Sequence, residues 1–364
     1  MGKMQFKQIS VQKFRLLNSL NLDGLKRVNL IAGKNNTGKT SLLEAIFLHT
    51  GHFNPELAFR MDLWRGIPGW TKSENDHYST PWDNLFFKMD NNSEIIIKST
   101  DINNNKSATR ISVIKDRNKI YKKYPSTKLT NISGTVSSST QLDSRILNFN
   151  YREKNKIKNY YIEFSGEGVK KVPQIFDVPF QSVFHPSRNI FPPKGDVDRY
   201  SKMKLNGDED ILKEGIKIIE DKFGDITIST IGDTPQFYIK LREDKYYPLL
   251  ISGEGLVKLV SLILEMYDAK GGIYFIDEIE NGFHYSILNN VWKIINELSS
   301  KYDIQVFATT HSKDTILSGH EYFSSIKEYD FSFFRLQKDV NKINAISYDK
   351  NNLNEAIEVD YEVR

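Results

Sequence analysis

The chain has 364 residues, of which 39% are hydrophobic and 26% charged, and its net charge is +4. This length can form one large domain or two, and the composition is typical of a soluble globular protein. The absence of cysteine excludes disulfides, cysteine-based zinc sites and thiol nucleophiles, and without a membrane-length apolar run or a signal-peptide core we expect a cytoplasmic protein with no membrane association.

The first part of the chain predicts strands and then a phosphate-binding loop. Residues 4–12 alternate between apolar and polar types, and Val28 to Ala32 is an apolar run. The next eight residues, 33–40, read GKNNTGKT and match the pattern G-x-x-x-x-G-K-[ST]. Residues 41–47, SLLEAIF, continue as a helix. A plain glycine-rich turn before a core helix is the alternative interpretation.

In such a loop, backbone N–H groups and the start of the helix surround a polyphosphate. Lys39 is expected to contact the β- and γ-phosphates of ATP, and the Thr40 hydroxyl to hold Mg²⁺. The predicted nucleotide-binding residues of this segment are Gly33, Asn35, Asn36, Thr37, Gly38, Lys39, Thr40 and Ser41.

The pattern changes after the first helix. Short strands at 94–98, 110–115, 119–124, 145–152 and 158–164 predict an inserted, largely antiparallel β subdomain. We therefore divide the chain into an N-terminal lobe (1–60), an insertion (61–179) and a C-terminal lobe (180–364). Residues 101–171 hold fifteen Lys and Arg against six Asp and Glu, a net charge of +9. This excess indicates either a contact with DNA or an acidic partner, or simply a solvated face.

The C-terminal lobe begins with a strand at 181–184. A helix is predicted around 211–223, and strands follow at 226–230, 236–241 and 246–251. A helix then opens at Gly253. Further strands at 331–336 and 345–348 precede a tail.

Ile273-Tyr274-Phe275-Ile276-Asp277-Glu278 is typical of a buried parallel strand that ends in two acids. Ligands bind at the carboxyl ends of such strands. In an ATPase, Asp277 would hold the Mg²⁺ shell, and Glu278 would orient or deprotonate the attacking water.

Ser252-Gly253-Glu254-Gly255 stands just before a helix. Ser252 can cap this helix while the free N–H groups face an anion. On its own, the stretch favours an ordinary helix cap.

Together these motifs resemble the ATP-binding-cassette (ABC) type of P-loop ATPase. The branch is that of the RecF, SMC and overcoming-lysogenisation-defect (OLD) ATPases. The matching segments are GKNNTGKTSLLEA, SGEG, IYFIDEIENGFH and FATTHS. They occur in the same order as in that family, over residues 33–312, and SGEG, residues 252–255, corresponds to the signature stretch of the family. The resemblance implies an α/β ABC-type P-loop ATPase head. Such a head has a mostly parallel sheet with flanking helices and an antiparallel β layer.

The resemblance also implies a homodimer, or a higher oligomer, that shares its ATP sites. Ser252, Gly253 and Gly255 would touch the γ-phosphate bound to a second subunit, and residues 280–282 would cross the interface. His311 would sense the γ-phosphate and act in catalysis with Lys39 and Glu278. Glu254 replaces the second glycine that is usual in transporters. The family also has a glutamine loop, and its glutamine could be Gln141, Gln174 or Gln181. Arg188 is an alternative residue for the phosphate contact.

The chain lacks SMC-type heptads, and only 53 residues follow His311. We therefore expect no Toprim nuclease domain, but a stand-alone AAA-family ATPase subunit like those of bacterial antiviral defence systems. A separate nuclease or toxin would be its effector. The alternatives are a RecF-like DNA-repair ATPase and a scaffold that binds ATP but hardly hydrolyses it.

Overall fold

The computed structural model describes residues 6–66, 82–114, 145–165, 168–171, 181–187, 194–231, 234–241, 245–340, 342–359 and 362. No helix in these ranges is both long and apolar enough to span a membrane. The predicted strand at 119–124 lies outside them.

A mostly parallel sheet of six strands carries the nucleotide-binding motifs. Its order is β16-β15-β3-β14-β13-β9, and all its neighbouring pairs except β15 and β16 are parallel. The strands are β3 (Val28–Ala32), β9 (Ser182–His185), β13 (Ile273–Ile276), β14 (Gln305–Thr310), β15 (Phe331–Lys338) and β16 (Ile343–Tyr348). Every residue of β3, β13 and β14 is buried, as expected for strands covered on both faces.

An antiparallel sheet of seven strands forms a second layer, in the order β2-β1-β4-β5-β6-β7-β8. The strands are β1 (Phe6–Phe14), β2 (Leu17–Asp23), β4 (Ile95–Asp101), β5 (Lys106–Ile114), β6 (Arg145–Glu153), β7 (Lys156–Ser165) and β8 (Gly168–Lys171). Because β4 pairs with β1, the inserted strands extend the sheet that the N-terminal strands begin. The division of the chain at residues 60 and 179 stays a prediction.

A small antiparallel sheet contains β10 (Phe223–Ile231), β11 (Thr234–Leu241) and β12 (Tyr247–Pro248). Two predictions fail in this region. Phe223 begins β10 instead of closing the preceding helix, and Leu249–Ile251 forms a 3₁₀ turn instead of continuing a strand.

Helices cover both faces of the six-stranded sheet. Their bounds are α1 (Lys39–Thr50), α2 (Leu57–Trp64), α3 (Lys194–Leu205), α4 (Glu209–Ile219), α5 (Glu254–Asp268), α6 (Leu288–Lys301), α7 (Lys313–Ser325) and α8 (Lys350–Glu358). Short 3₁₀ turns lie at Asp83–Leu85, Phe87–Met89, Leu249–Ile251 and Tyr285–Ile287. One core packs α5 and α6 against one face of the sheet. Another packs the other face against α1 and the seven-stranded sheet.

Candidate functional site: a phosphate loop facing two carboxylates

The loop between β3 and α1 requires glycine at both of its ends. Gly33 and Gly38 have φ angles of 153° and 87°, where a side chain is strained. A Cβ on Gly33 would lie 2.7 Å from the carbonyl oxygen of Leu336, and one on Gly38 would lie 2.9 Å from Leu17 Cδ2. The loop is therefore pressed against its neighbours, and its backbone turns back on itself ahead of the helix.

Lys39 opens α1, and its side chain folds over the loop. Its Nζ donates to the carbonyl of Gly33 at 2.6 Å and to that of Lys34 at 3.2 Å. The Thr37 hydroxyl donates to the Lys34 carbonyl at 2.8 Å. Burial lowers the pKa of Lys39, and nearby acids, Asp277 foremost, oppose that effect. The ammonium group thus stands over the loop, in a position from which it can exchange carbonyl oxygens for phosphate oxygens.

The other predicted loop residues differ in exposure. Asn35 and Asn36 are exposed, and Asn36 has a φ of 63°. Ser41 is buried in the first turn of α1. Nucleotide binding by these three residues stays a prediction.

The two predicted Mg²⁺ residues meet, although they are far apart in sequence. Thr40 Oγ1 lies 3.1 Å and 3.0 Å from the two carboxylate oxygens of Asp277. The hydroxyl of Thr309, at the end of the neighbouring strand β14, donates to Asp277 Oδ1 at 2.6 Å. Burial raises the pKa of Asp277, and the hydrogen bonds from Thr309 and Thr40 oppose this shift. Thr309 is a site residue that the sequence analysis missed.

This donor set fits magnesium. Mg²⁺ is usually held by one or two protein oxygen ligands together with substrate phosphates and waters. Thr40 and Asp277 offer such oxygens at a single point beside the phosphate loop. Nowhere in the described ranges do three or more acidic or histidine side chains gather as a metal site of their own. A cation here would therefore depend on the phosphates of the nucleotide.

Glu278 follows Asp277 in a strained turn. Its φ of 52° is unusual for a residue with a side chain. The backbone N–H of Glu278 donates to Thr309 Oγ1 at 2.8 Å, and Glu278 Oε2 accepts from Asn281 Nδ2 at 2.7 Å. Glu278, Thr40 and Asp277 line one cavity of about 510 Å³. The carboxylate predicted to act on water thus shares a cavity with the two magnesium candidates.

Glu44 and Arg65, which also line that cavity, belong to a group of ion pairs. Glu44 is 2% exposed, and its carboxylate accepts from Arg65 at 2.7 Å and 2.8 Å. Arg15 Nε lies 2.9 Å from Glu44 Oε2, and Arg15 Nη2 lies 3.0 Å from Asp62 Oδ1. No sequence motif indicated this group. The available signal was the spacing of Glu44, four residues after Thr40, which places both on one face of α1.

His311 follows β14 and pairs with Glu280. Its Nδ1 lies 3.0 Å from Glu280 Oε1, and the same oxygen accepts from the His311 backbone N–H at 2.8 Å. The structure thus places His311 beside the turn that carries Glu278. A γ-phosphate sensor role for His311 stays a prediction.

The signature stretch, residues 252–255, packs against the turn that follows Glu278. Gly253 caps α5 with a φ of 102°, and no side chain within the described ranges caps that end. A Cβ on Gly255 would lie 2.8 Å from the carbonyl oxygen of Gly282, so the stretch packs on the 280–282 loop. Ser252 is half-buried. The described lining of the cavity at Asp277 includes Asn281 and no residue of 252–255.

The candidates for the glutamine loop can be narrowed. Gln141, Gln174 and Arg188 lie outside the described residues. Gln181 directly precedes β9, at the end of the sheet opposite Asp277, because β9 runs parallel to β13. The other end of β9 leads to Pro186 and Ser187, which line the cavity. Gln181 is therefore not a residue of this site.

The chain resembles known proteins over most of its length. Residues 28–318 match the model of the family described as "AAA domain, putative AbiEii toxin, Type IV TA system". A protein of Helicobacter pylori named "ATP/GTP phosphatase" is 24% identical over 325 residues, which is 85% of each chain. The structure is similar to that of an SMC head bound to the C-winged helix domain of ScpA. That likeness has 11% identity and a TM-score of 0.50, and it covers 97% of this chain and 99% of the other.

The SMC-head likeness confirms the prediction of an ABC-type P-loop fold. The family match covers the phosphate loop, the signature stretch and both acids. The chain belongs to this AAA-domain family and is an ATPase.

Proposed function

We propose that this ATPase is a Mg²⁺-dependent switch. ATP joins two copies of the chain head to tail, and hydrolysis allows them to separate. One observation carries the proposal: Thr40, at the end of the phosphate loop, and the two acids line one cavity, whose described lining contains no residue of the signature stretch. A complete site would then combine the halves of two chains.

Within the first half, Lys39 would bind the β- and γ-phosphates in place of the loop carbonyls. Thr40 and Asp277 would hold Mg²⁺, which screens the phosphate charge when it is bound. Glu278 would accept a proton from the attacking water, and its turn is fixed by the hydrogen bonds from Asn281 and to Thr309.

The second half is suited to a copy of the same chain. The N-terminus of α5 begins a helix of 15 residues, and Gly253 and Glu254 at that end are exposed. Its free N–H groups and partial positive charge favour an anion such as a γ-phosphate. Just before it, Leu250 and Ile251 are 46% and 71% exposed. Apolar side chains next to an anion-binding helix end suit a partner that presents both a phosphate and a protein surface.

We place the ATPase in the cytoplasm, in the OLD-like branch of stand-alone subunits, where it would control a separate nuclease or toxin in antiphage defence. The family description, which names a toxin and a type IV toxin–antitoxin system, supports this setting.

A second candidate function, a RecF-like contact with DNA, is favoured by one observation. Lys98, Lys106, Arg152 and Lys154 are exposed and line a groove of about 780 Å³ on the seven-stranded sheet. Such a groove suits a phosphate backbone. The Lys98→Glu/Arg152→Glu variant should weaken DNA binding and flatten its salt dependence. Unchanged binding would leave the groove as a solvated face.

The switch is tested with Glu278→Gln. This variant should bind ATP, hydrolyse it at least about a hundredfold more slowly, and accumulate as a dimer in light scattering. Lys39→Ala should lose ATP binding and stay monomeric. Glu321→Gln, an exposed change on α7, is the control and should behave as wild type. A wild-type hydrolysis rate in Glu278→Gln would refute the role of Glu278. If the wild-type protein bound ATP but did not hydrolyse it, the alternative of an ATP-binding scaffold would be favoured.

A further inference from the structure

Lys258 is a buried lysine within an apolar stretch of α5. Its side chain is 3% exposed, and Val257 and Leu259 on either side of it are also buried. A buried ammonium group is unfavourable unless its hydrogen-bond donors find acceptors. Here Nζ lies 2.6 Å from the carbonyl oxygen of Asn281 and 3.2 Å from those of Glu278 and Ile279. Each of the three donors therefore has an acceptor.

All three acceptors belong to one turn, the turn that Glu278 begins. Three carbonyl dipoles pointing at one place repel each other, and a cation between them removes that repulsion. The turn also holds Glu278 at a φ of 52°, which is strained and needs support from its surroundings. Lys258 supplies such support from a different element of the fold.

The charged form of Lys258 suits this role. Burial lowers the pKa of Lys258 to about 8, while Glu280, Glu254 and Glu278 act in the opposite direction. The side chain is therefore mostly protonated at neutral pH. The ring of Phe283, centred 5.2 Å from Nζ, adds a cation–π contact.

We infer that Lys258 is a positioning residue for Glu278: by gathering the carbonyls of residues 278, 279 and 281, it keeps the Glu278 carboxylate facing Thr40 and Asp277. This inference rests on the proposed role of Glu278 as the base. Lys258 itself does not line the described cavity and touches the site only through the turn.

The same contacts join the turn to the signature stretch. Lys258 lies one turn of helix beyond Gly255, which packs on the Gly282 carbonyl. The start of α5 and the 278–282 turn are thus in contact at two points. Removing the cation loosens one of these points and leaves the phosphate loop untouched.

The test compares Lys258→Met, Lys258→Arg and the exposed control Lys293→Met on α6. Lys258→Met should lower kcat about tenfold or more and leave the affinity for ATP within about threefold of wild type. Lys258→Arg, which keeps the cation, should recover much of this loss. Lys293→Met should match the wild-type protein. If Lys258→Met does not fold, Lys258→Gln, whose amide still donates, replaces it.

A second arm combines Lys258→Met with Glu278→Gln. If Lys258 acts through Glu278, the Met substitution should change the residual rate of Glu278→Gln less than twofold, whereas independent effects would multiply. A folded Lys258→Met with the wild-type kcat would overturn the inference, as would full multiplication of the two effects. A wild-type rate in Glu278→Gln alone would instead overturn the proposed base, so the two failures are distinguishable.

Discussion

The hydroxyl of Thr309 donates a 2.6 Å hydrogen bond to Asp277 Oδ1 and accepts one of 2.8 Å from the backbone N–H of Glu278. One side chain on β14 thus fixes both acids that end β13. Thr309 is fully buried and has no freedom to exchange these partners for water. The orientation of the candidate metal ligand and the start of the catalytic turn therefore depend on the same hydroxyl.

We expect Thr309→Val to weaken the response of the ATPase to magnesium. The substitution keeps the shape but removes a hydrogen bond to a charged group, and it leaves the Glu278 N–H without its acceptor. A loss of about tenfold in apparent Mg²⁺ affinity follows from the usual strength of such bonds. The measurement is the hydrolysis rate as a function of magnesium concentration. Thr309→Ser, which keeps the hydroxyl, should stay close to wild type, and an identical magnesium dependence in the Val variant would contradict the assignment.

The ion pairs around Glu44 should matter for stability. Glu44→Gln leaves two arginines, Arg15 and Arg65, facing a neutral group in a largely buried place. Breaking a buried pair from one side lowers the free energy of unfolding by about 3 kcal/mol. The exposed pair of Glu94 and Arg110 is the matched control. Glu94→Gln should lower the free energy of unfolding by less than about 1 kcal/mol. Urea unfolding of both variants provides the comparison, and equal losses would refute the distinction.

Two buried histidines should make the protein sensitive to acid. Burial lowers the pKa of His49 from 6.5 to about 3, and that of His52 from 6.5 to about 4. The unfolded chain binds protons near pH 6.5 while the folded chain does not. The contribution of these rings to the free energy of unfolding is therefore complete above that pH. It is lost progressively as the pH falls toward the pKa values of the two histidines in the folded protein.

The His49→Gln variant isolates one part of this effect. The free energy of unfolding of this variant should fall less steeply with acidification than that of the wild-type protein. The difference between the two slopes should be about 1.4 kcal/mol per pH unit between about pH 5.5 and 4.5. The measurement is urea unfolding over that pH range. Equal slopes in the two proteins would show that the His49 ring is not kept neutral by the fold.

Several parts of the site could be predicted because their signals are local. The phosphate loop and the apolar strand ending in Asp277 and Glu278 are short motifs. Only their order along the chain, which matches that of the related ATPases, indicated that they belong to one site. Thr40 and Asp277, separated by 237 residues, do meet. The role of Thr309 was not predictable from the motif. Which face of β14 carries a side chain toward Asp277 depends on how that strand pairs with β13.

Other differences have equally physical origins. The segment Leu249–Ile251 is apolar enough for a strand, but it forms a 3₁₀ turn in which Leu250 and Ile251 are exposed. Helix α8 was missed because few of its residues are apolar, and it buries only Leu353 and Ala356. Lys258 did carry a signal, since a lysine inside an apolar stretch of a helix must find acceptors or remain neutral.

The central claim is that two chains share each ATP site, and a mixing experiment tests it most directly. Lys39→Ala and Ser252→Arg should each be inactive alone, because each damages a different half of the site. A mixed dimer rebuilds one intact site from the undamaged halves. An equal mixture should recover part of the wild-type rate, because each mixed dimer has one intact site of its two.

The matched control mixes Lys39→Ala with Glu278→Gln. Both lesions lie in the same half, so no intact site can form and no activity should return. Light scattering or cross-linking verifies that mixed dimers are present in both samples. Recovery in the first mixture and none in the second is the result that the shared site predicts. Activity of Ser252→Arg alone, or no recovery although mixed dimers form, would contradict it.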